Sequence, residues 1–439
     1  MMDSMYSAPA CSVFDPVIQS DVSIDPLGLA LVYERLADRM LPGMTVRMRR
    51  PRFMTALAVG AFICAEYGPD TVAADDVTPP YLVFEWWIVE AFVRASALLT
   101  DKRQIPGFRK VETARVAGRP IDAPAYLKTA SVFGFTGILR RLARRTQVIT
   151  EHGMLDEAGH RLVDLWAAEQ GLEGFYRGRT GPGAALRADL SKAVADGLRD
   201  GRTGPRPSHF AQLIATHLDP SNPGRREQRL LRELIEDRAG EGDEVRFTMT
   251  ALAQRPAPLE FLDETTFLRS LQGSAPERLG ATLRAIDTYE EFCRPLTDAF
   301  SWLRYLASEN PHHGVSAEEF LKHAPAEVLT RRLRIAIDRA SENDILTEFW
   351  PERFDVFTRL REVKRPCELL EMVIDHHREV QRLKPPDGKR AWVEESSRRR
   401  LMIRPAYRLE DPPPNNLPYV HEYRMPTLSR FLADLGGFS

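Results

Sequence analysis

The sequence predicts a mainly α-helical, multi-lobed protein with a winged-helix-like module and an extended basic C-terminal segment. Three observations lead there. Apolar residues recur at helical spacing over most of the chain. From residue 119 the pattern changes to a helix, two short extended pieces and another helix. From residue 384 the chain is rich in proline and arginine and loses helical periodicity.

At 439 residues the chain is long enough for two or three domains, each with its own core. Residues 1–22 read as irregular. In "SIDPLGLALVYERLADRM" Asp25 fits an N-cap and Pro26 the first helical position, with Leu27, Leu29, Leu31, Leu36 and Met40 at helical spacing. "LPGM" breaks that helix and Pro51 restarts the chain. The next helix, about 51–67, is apolar nearly all round and so belongs inside its domain. Pro79 and Pro80 precede a third helix, about 81–99. These elements make an N-terminal lobe over residues 23–118.

Residues 119–175 read as a helix to about 143, extended pieces at "TQVI" and "GML", and a helix from Asp156 to Gln170 stopped by Gly171. That order is the one found in winged helix-turn-helix modules. Residues 176–207, with two R-T-G-P copies around a short helix, read as a connector, and 208–383 as a helical domain. The segment 384–439 reads as extended, closed by a helix at "TLSRFLADLG".

Composition excludes several classes. The chain is 43% hydrophobic and 28% charged, and its 60 Lys and Arg are nearly matched by 62 Asp and Glu, so nucleic-acid binding has to rest on local patches. Cys11, Cys64, Cys293 and Cys367 lie far apart with no C-x-x-C pair, which speaks against a zinc site or a disulfide framework and for a cytoplasmic setting. The first residues do not read as a signal peptide. "FMTALAVGAFICA" is too short for a membrane span, and "YLVFEWWIVEAFVRASALL" carries Glu85, Glu90 and Arg94. No phosphate loop, nucleophile elbow, kinase signature or Rossmann fingerprint is present.

Three basic clusters are candidate anion sites. Arg47, Arg49, Arg50 and Arg52 lie at the start of the buried second helix, where N–H groups and the helix dipole reinforce positive charge; the alternative is a solvated turn. Arg140, Arg141, Arg144 and Arg145 make one stripe on the helix before the extended pieces, the helix that would enter a major groove in a winged module; the alternative is an ordinary solvent face. In 384–408, Lys389, Arg390, Arg398, Arg399 and Arg400 are interleaved with Trp392 and Tyr407, which suits phosphate neutralisation with base stacking, or else a clamp on an acidic face of the same protein.

His376 and His377 in "IDHHREVQRLK" invite a metal reading, but helical spacing places one against the core and the other at its rim, and His312 and His313 are remote in sequence. Asp355 with Glu362 and Lys364 has the residue types of a metal-dependent nuclease, without the strand such a site needs. No metal or cofactor is expected.

"IDPLGLALVYERLADRMLPGMTVRMRRPRF", "SVFGFTGILRRLARR" leading to "LDEAGHRLVDLW", and "HHREVQRLKPPDGKRAWV" together resemble a group of bacterial proteins without an assigned activity. That group shares a D-P-L-G opening, a Leu-Pro-Gly turn and an arginine–aromatic start to the next helix. Where it has Arg-x-Arg-Tyr, this chain has Arg50-Pro51-Arg52-Phe53. The resemblance implies an association with phage-defence or mobile-element loci and transfers no functional residue. The expected function is a non-enzymatic, nucleic-acid-associated component of a bacterial defence or DNA-handling complex with protein partners and no membrane. The alternatives are a helical scaffold for acidic proteins and a metal-dependent nuclease.

Overall fold

The computed structural model describes residues 25–102, 104–240, 242–349, 360–384, 388–414 and 419–437. The expected irregular N-terminus and Asp355 therefore lie outside the described residues. The protein is mainly helical and forms two compact units, each discontinuous in sequence: residues up to Leu36 with Thr265–His421, and Ala37–Glu264 with Glu422–Ser439. The sequence reading divides the chain into consecutive lobes instead.

Helix α1 (Ala30–Met40) begins later than its cap suggests. The Asp25 carboxylate accepts from the N–H groups of Leu29 and Ala30 at 3.0 and 2.8 Å, so it caps the helix across an intervening turn.

The second unit is built around α2 (Phe53–Ile63) and, after the next break, α3 (Pro80–Arg94). Every residue of α2 except Phe62 is buried, as its all-round apolar pattern demands. Around these two helices stand α4 (Phe108–Val116), a short α5 (Ala130–Phe133), α6 (Phe135–Arg145), α7 (Glu157–Glu169), α8 (Pro182–Asp200) and α9 (Ser208–Leu218). The stretch expected as a connector contains α8, which runs 19 residues, packs on α3 and buries Leu186, Leu190, Val194 and Leu198. Its apolar spacing is helical, and the R-T-G-P copies mark its ends.

Between α6 and α7 the extended pieces are present as a single bridge, Ile149 to Leu155, around a turn at 150–153. Asp156 caps α7, and Gly171 has φ +66° where the chain leaves it. Helices α10 (Arg225–Arg238), α11 (Glu244–Ala253) and α12 (Phe261–Leu271) follow.

The first unit is organised on α13 (Glu277–Glu309), a 33-residue helix that passes through Pro295. It packs against α15 (Ala326–Ser341), which follows the short α14 (Ala317–His323), and against α16 (Asp344–Phe349) and α17 (Pro366–Arg382). An antiparallel hairpin, β1 (Val393–Glu395) and β2 (Leu401–Ile403), pairs Val393 with Ile403 and Glu395 with Leu401. The extended residues 419–421 are fixed to α13. The Tyr419 hydroxyl donates to Asp287 at 2.6 Å, and His421 Nδ1 lies 2.7 Å from Glu290.

The closing helix α18 (Met425–Asp434) belongs to the second unit. There the Glu264 carboxylate accepts from the N–H groups of Tyr423 and Met425 at 3.0 and 2.9 Å.

Candidate nucleic-acid interface

The first arginine cluster is mostly part of the fold. Arg52 is 1% exposed; its guanidinium donates to the Glu227 carboxylate at 3.0 Å and to the carbonyls of Asp219 and His217 at 2.6 and 2.9 Å. Thr55 donates to the same carboxylate at 2.6 Å. Arg52 is therefore corrected from an anion-binding candidate to a buried strut, since no external anion can reach it. Arg50 is shared between Asp101 at 2.9 Å and Asp434 at 2.6 Å. The Arg47 guanidinium sits 4.6 Å from the centre of the Phe133 ring. Arg49 is exposed at the rim of a shallow cleft that Arg47, Arg50, Phe53 and Phe135 also line.

The stripe on α6 is largely self-neutralised. Arg141 and Arg145 lie 3.0 and 4.0 Å from the Asp38 carboxylate, and Arg144 lies 3.1 Å from that of Glu151. Arg140 is half-buried against the Tyr81 ring. Exposed ion pairs of this kind add little stability, but each removes a cation from the field an incoming phosphate would meet.

In the C-terminal segment the side chains part company. Trp392 is 3% exposed, and its ring stacks on Tyr407 with centroids 4.1 Å apart and planes 3° apart. The two aromatics expected to hold bases stack on each other, so Trp392 is corrected to a core residue. Arg390 pairs with Glu394 at 2.6 Å. Arg400 donates to the carbonyls of His313 and Gly314 at 2.7 and 2.8 Å and to Glu319 at 2.7 Å, so it is a structural tie. Lys389 is half-buried.

Arg398 and Arg399 stay outside. They form the tip of the β1–β2 hairpin with Ser397, all three exposed, and among the described residues neither has an ion pair. The Arg399 N–H donates to the Ser396 carbonyl at 2.9 Å, and Arg399 itself has φ +55°. A three-residue loop ending in a left-handed residue is a common hairpin geometry, but it favours Gly or Asn at that place.

This hairpin is attached to a helix pair that sequence reasoning did not single out. Val315 exchanges both main-chain hydrogen bonds with Leu401, at 2.9 and 2.8 Å, beside Gly314, where φ is +65° and a Cβ would lie 2.3 Å from the Leu401 carbonyl oxygen. Ser316 then starts α14 with a reciprocal cap: the Glu319 N–H donates to Ser316 Oγ at 3.1 Å and the Ser316 N–H to the Glu319 carboxylate at 2.7 Å. A two-residue turn, Ala324–Pro325, leads into α15. Leu329, Leu333 and Ile337 of α15 face inward, while Val328, Arg331, Arg332, Arg334 and Ile335 are exposed. The S-x-x-E cap in "VSAEEF" and the arginines of "LTRRLRIAI" were the available signals.

The histidine pair is spent on the fold. His376 donates from Nε2 to the Leu27 carbonyl at 2.6 Å. His377 donates from Nδ1 to the Pro26 carbonyl at 2.9 Å, and its Nε2 accepts from the Trp392 N–H at 2.8 Å. The spacing places one ring in the core and the other at its rim, but the structure buries both: His377 is 0% exposed and His376 is 9%. Glu362 and Lys364 are exposed. Among the described residues no three His, Cys, Asp or Glu side chains converge as a metal site would require. Nor does any described helix have the length and apolarity to cross a membrane.

The geometry defines a mainly helical protein in which, among the described residues, Arg331 and Arg334 of α15 and Arg398 and Arg399 of the hairpin tip are exposed without an ion pair. No protein-family model, curated protein or solved structure matches the chain.

Proposed function

We propose that this protein is a non-enzymatic, nucleic-acid-associated component of a bacterial defence or DNA-handling complex, working in the cytoplasm with protein partners. The observation that carries the reading is the contrast between its basic clusters. Arg52, Arg50, Arg141, Arg144 and Arg145 are engaged by acids of their own unit, whereas Arg331, Arg334, Arg398 and Arg399 are exposed and have no ion pair among the described residues. Phosphate binding depends on the local field, so these four supply it although the whole chain is nearly neutral.

A mobility-shift titration at about 50 mM salt tests the proposal, because a phosphate-driven contact is strongest at low salt and weakens steeply as salt rises. Retention that falls with added salt supports it, and no retention of DNA or RNA at low salt refutes it. The scaffold alternative draws on the same near-neutral charge and on the extensive internal ion pairing. Purification in constant ratio with an acidic protein, free of nucleic acid, would favour it.

A further inference from the structure

The first unit contains a helix-turn-helix whose connections differ from those of residues 119–175. In chain order it has α13, the single extended residue Val315, α14, a two-residue turn, α15, and later β1, a loop and β2. Val315 pairs with β2 and β2 pairs with β1, so the residue between the first two helices joins the sheet next to its last strand. That is the connectivity of a winged helix-turn-helix, departing from it among the described residues in carrying α16 and α17 between α15 and β1. We infer that α13 together with residues 313–341 and 393–403 forms a winged helix-turn-helix that binds duplex DNA, with α15 as the groove-entering helix and the 397–399 loop as its wing.

This rests on the nucleic-acid reading above and narrows it. The exposed face of α15 from Val328 to Ile335 joins three arginines to two aliphatic side chains that are 43% and 50% exposed. Arginine can grip guanine O6 and N7 in the major groove, and an aliphatic side chain can rest on a thymine methyl. The exposed acids Glu327 and Asp338 fall on either side of that window.

Single strands are disfavoured because they are held by exposed aromatics, and here Trp392 and Tyr407 are stacked on each other. Duplex RNA is disfavoured because its deep, narrow major groove does not admit a helix. Arg399 fits a wing role as well. It holds a left-handed conformation that Gly or Asn would adopt with less strain, yet it presents its charge at the loop tip.

The test uses the full chain and fluorescein-labelled duplex DNA, duplex RNA and single-stranded DNA, each of about three helical turns, followed by anisotropy as salt is raised. Duplex DNA is expected to bind about tenfold or more tighter than either other nucleic acid. R331E/R334E is expected to weaken it by about tenfold or more. R398E/R399E should lower the salt slope by about two. R399G is expected to weaken binding severalfold while leaving thermal stability equal or raised, a pattern that misfolding cannot produce.

Two results overturn the winged-helix assignment while the broader reading stands: duplex DNA binding that R331E/R334E leaves unchanged, with its fold verified by circular dichroism, or equal affinity for all three nucleic acids. No binding of any nucleic acid by the unaltered protein would refute both.

Discussion

The main-chain N–H of Trp392 donates to Nε2 of His377 at 2.8 Å, while Nδ1 of the same ring donates to the carbonyl of Pro26. A carbonyl can only accept and an N–H can only donate, so the ring is held neutral with its proton on Nδ1. The ring thereby ties the D-P-L-G turn to the residue that precedes the hairpin of the candidate wing.

Acid should loosen this tie. Burial is the main cause that lowers the His377 pKa, from 6.5 to about 4. The unfolded chain therefore takes up a proton between those values and the folded chain does not, so stability present above about pH 6.5 is lost as pH falls toward 4. At about 1.4 kcal/mol per pH unit the ring accounts for roughly 3 kcal/mol. H377F should be less stable at pH 7 by about 2–4 kcal/mol, having left the buried Trp392 N–H unpaired and the Pro26 carbonyl with only the 3.4 Å bond from Gln381, and should have a flatter acid limb. Urea midpoints at pH 7 and pH 5 for both proteins measure this, and an acid limb of unchanged slope would contradict it.

Glu85 should act in the opposite direction. It lies inside the second unit, accepting from the Tyr126 hydroxyl at 2.6 Å and the Thr136 N–H at 3.0 Å, and burial raises its pKa to about 7. The folded state thus holds the proton more tightly than the unfolded state. That contribution is complete below about pH 4.5 and lost as pH rises through 7, again roughly 3 kcal/mol. E85Q, which can donate to Tyr126 and accept from Thr136, should be more stable than the natural protein at pH 8 and nearly equal to it at pH 5. Differential scanning at the two pH values decides the matter.

Gly134 is needed because of that same carboxylate. A Cβ at this position would lie 1.8 Å from Glu85 Oε1 and 2.7 Å from the Ala130 carbonyl oxygen. G134A should therefore lower stability by about 2 kcal/mol or more, the usual cost of overpacking a tight site. A thermal midpoint indistinguishable from that of the natural protein would count against the packing described.

Arg52 and Glu227 are expected to be strongly coupled. R52M leaves a 0%-exposed carboxylate without its counter-ion and should cost about 3–5 kcal/mol, whereas R52M/E227L should recover a large part of that loss. R52K should not substitute, since one ammonium cannot serve a carboxylate and two carbonyls in the geometry of the guanidinium. Urea unfolding of the natural protein, R52M, E227L and R52M/E227L gives the coupling energy, and additive losses would refute it.

Trp392 offers a check on the interface. Because its ring is covered by Tyr407 and His377, W392F should leave nucleic-acid affinity within about twofold while lowering stability, in contrast to a base-stacking aromatic, whose removal costs about 1–3 kcal/mol of binding. Parallel anisotropy and melting curves on this variant separate the two roles.

Sequence by itself determined the local structure. The buried α2 follows from its unbroken apolar run, the stop of α7 from Gly171, and the closing helix from its spacing. Each depends on residues within a few turns of each other. Only the tertiary structure decided which arginines face solvent. Arg52 finds Glu227, Arg50 finds Asp434, Arg400 finds Gly314 and Glu319, and Val315 finds Leu401, all across sequence distances that periodicity cannot bridge. A charge run looks the same in the sequence whether its partners are water, a neighbouring carboxylate or a phosphate. Burial distinguished Arg52 and Trp392 from Arg398 and Arg399, because a side chain inside the core is spent on its own fold and one at a hairpin tip is not.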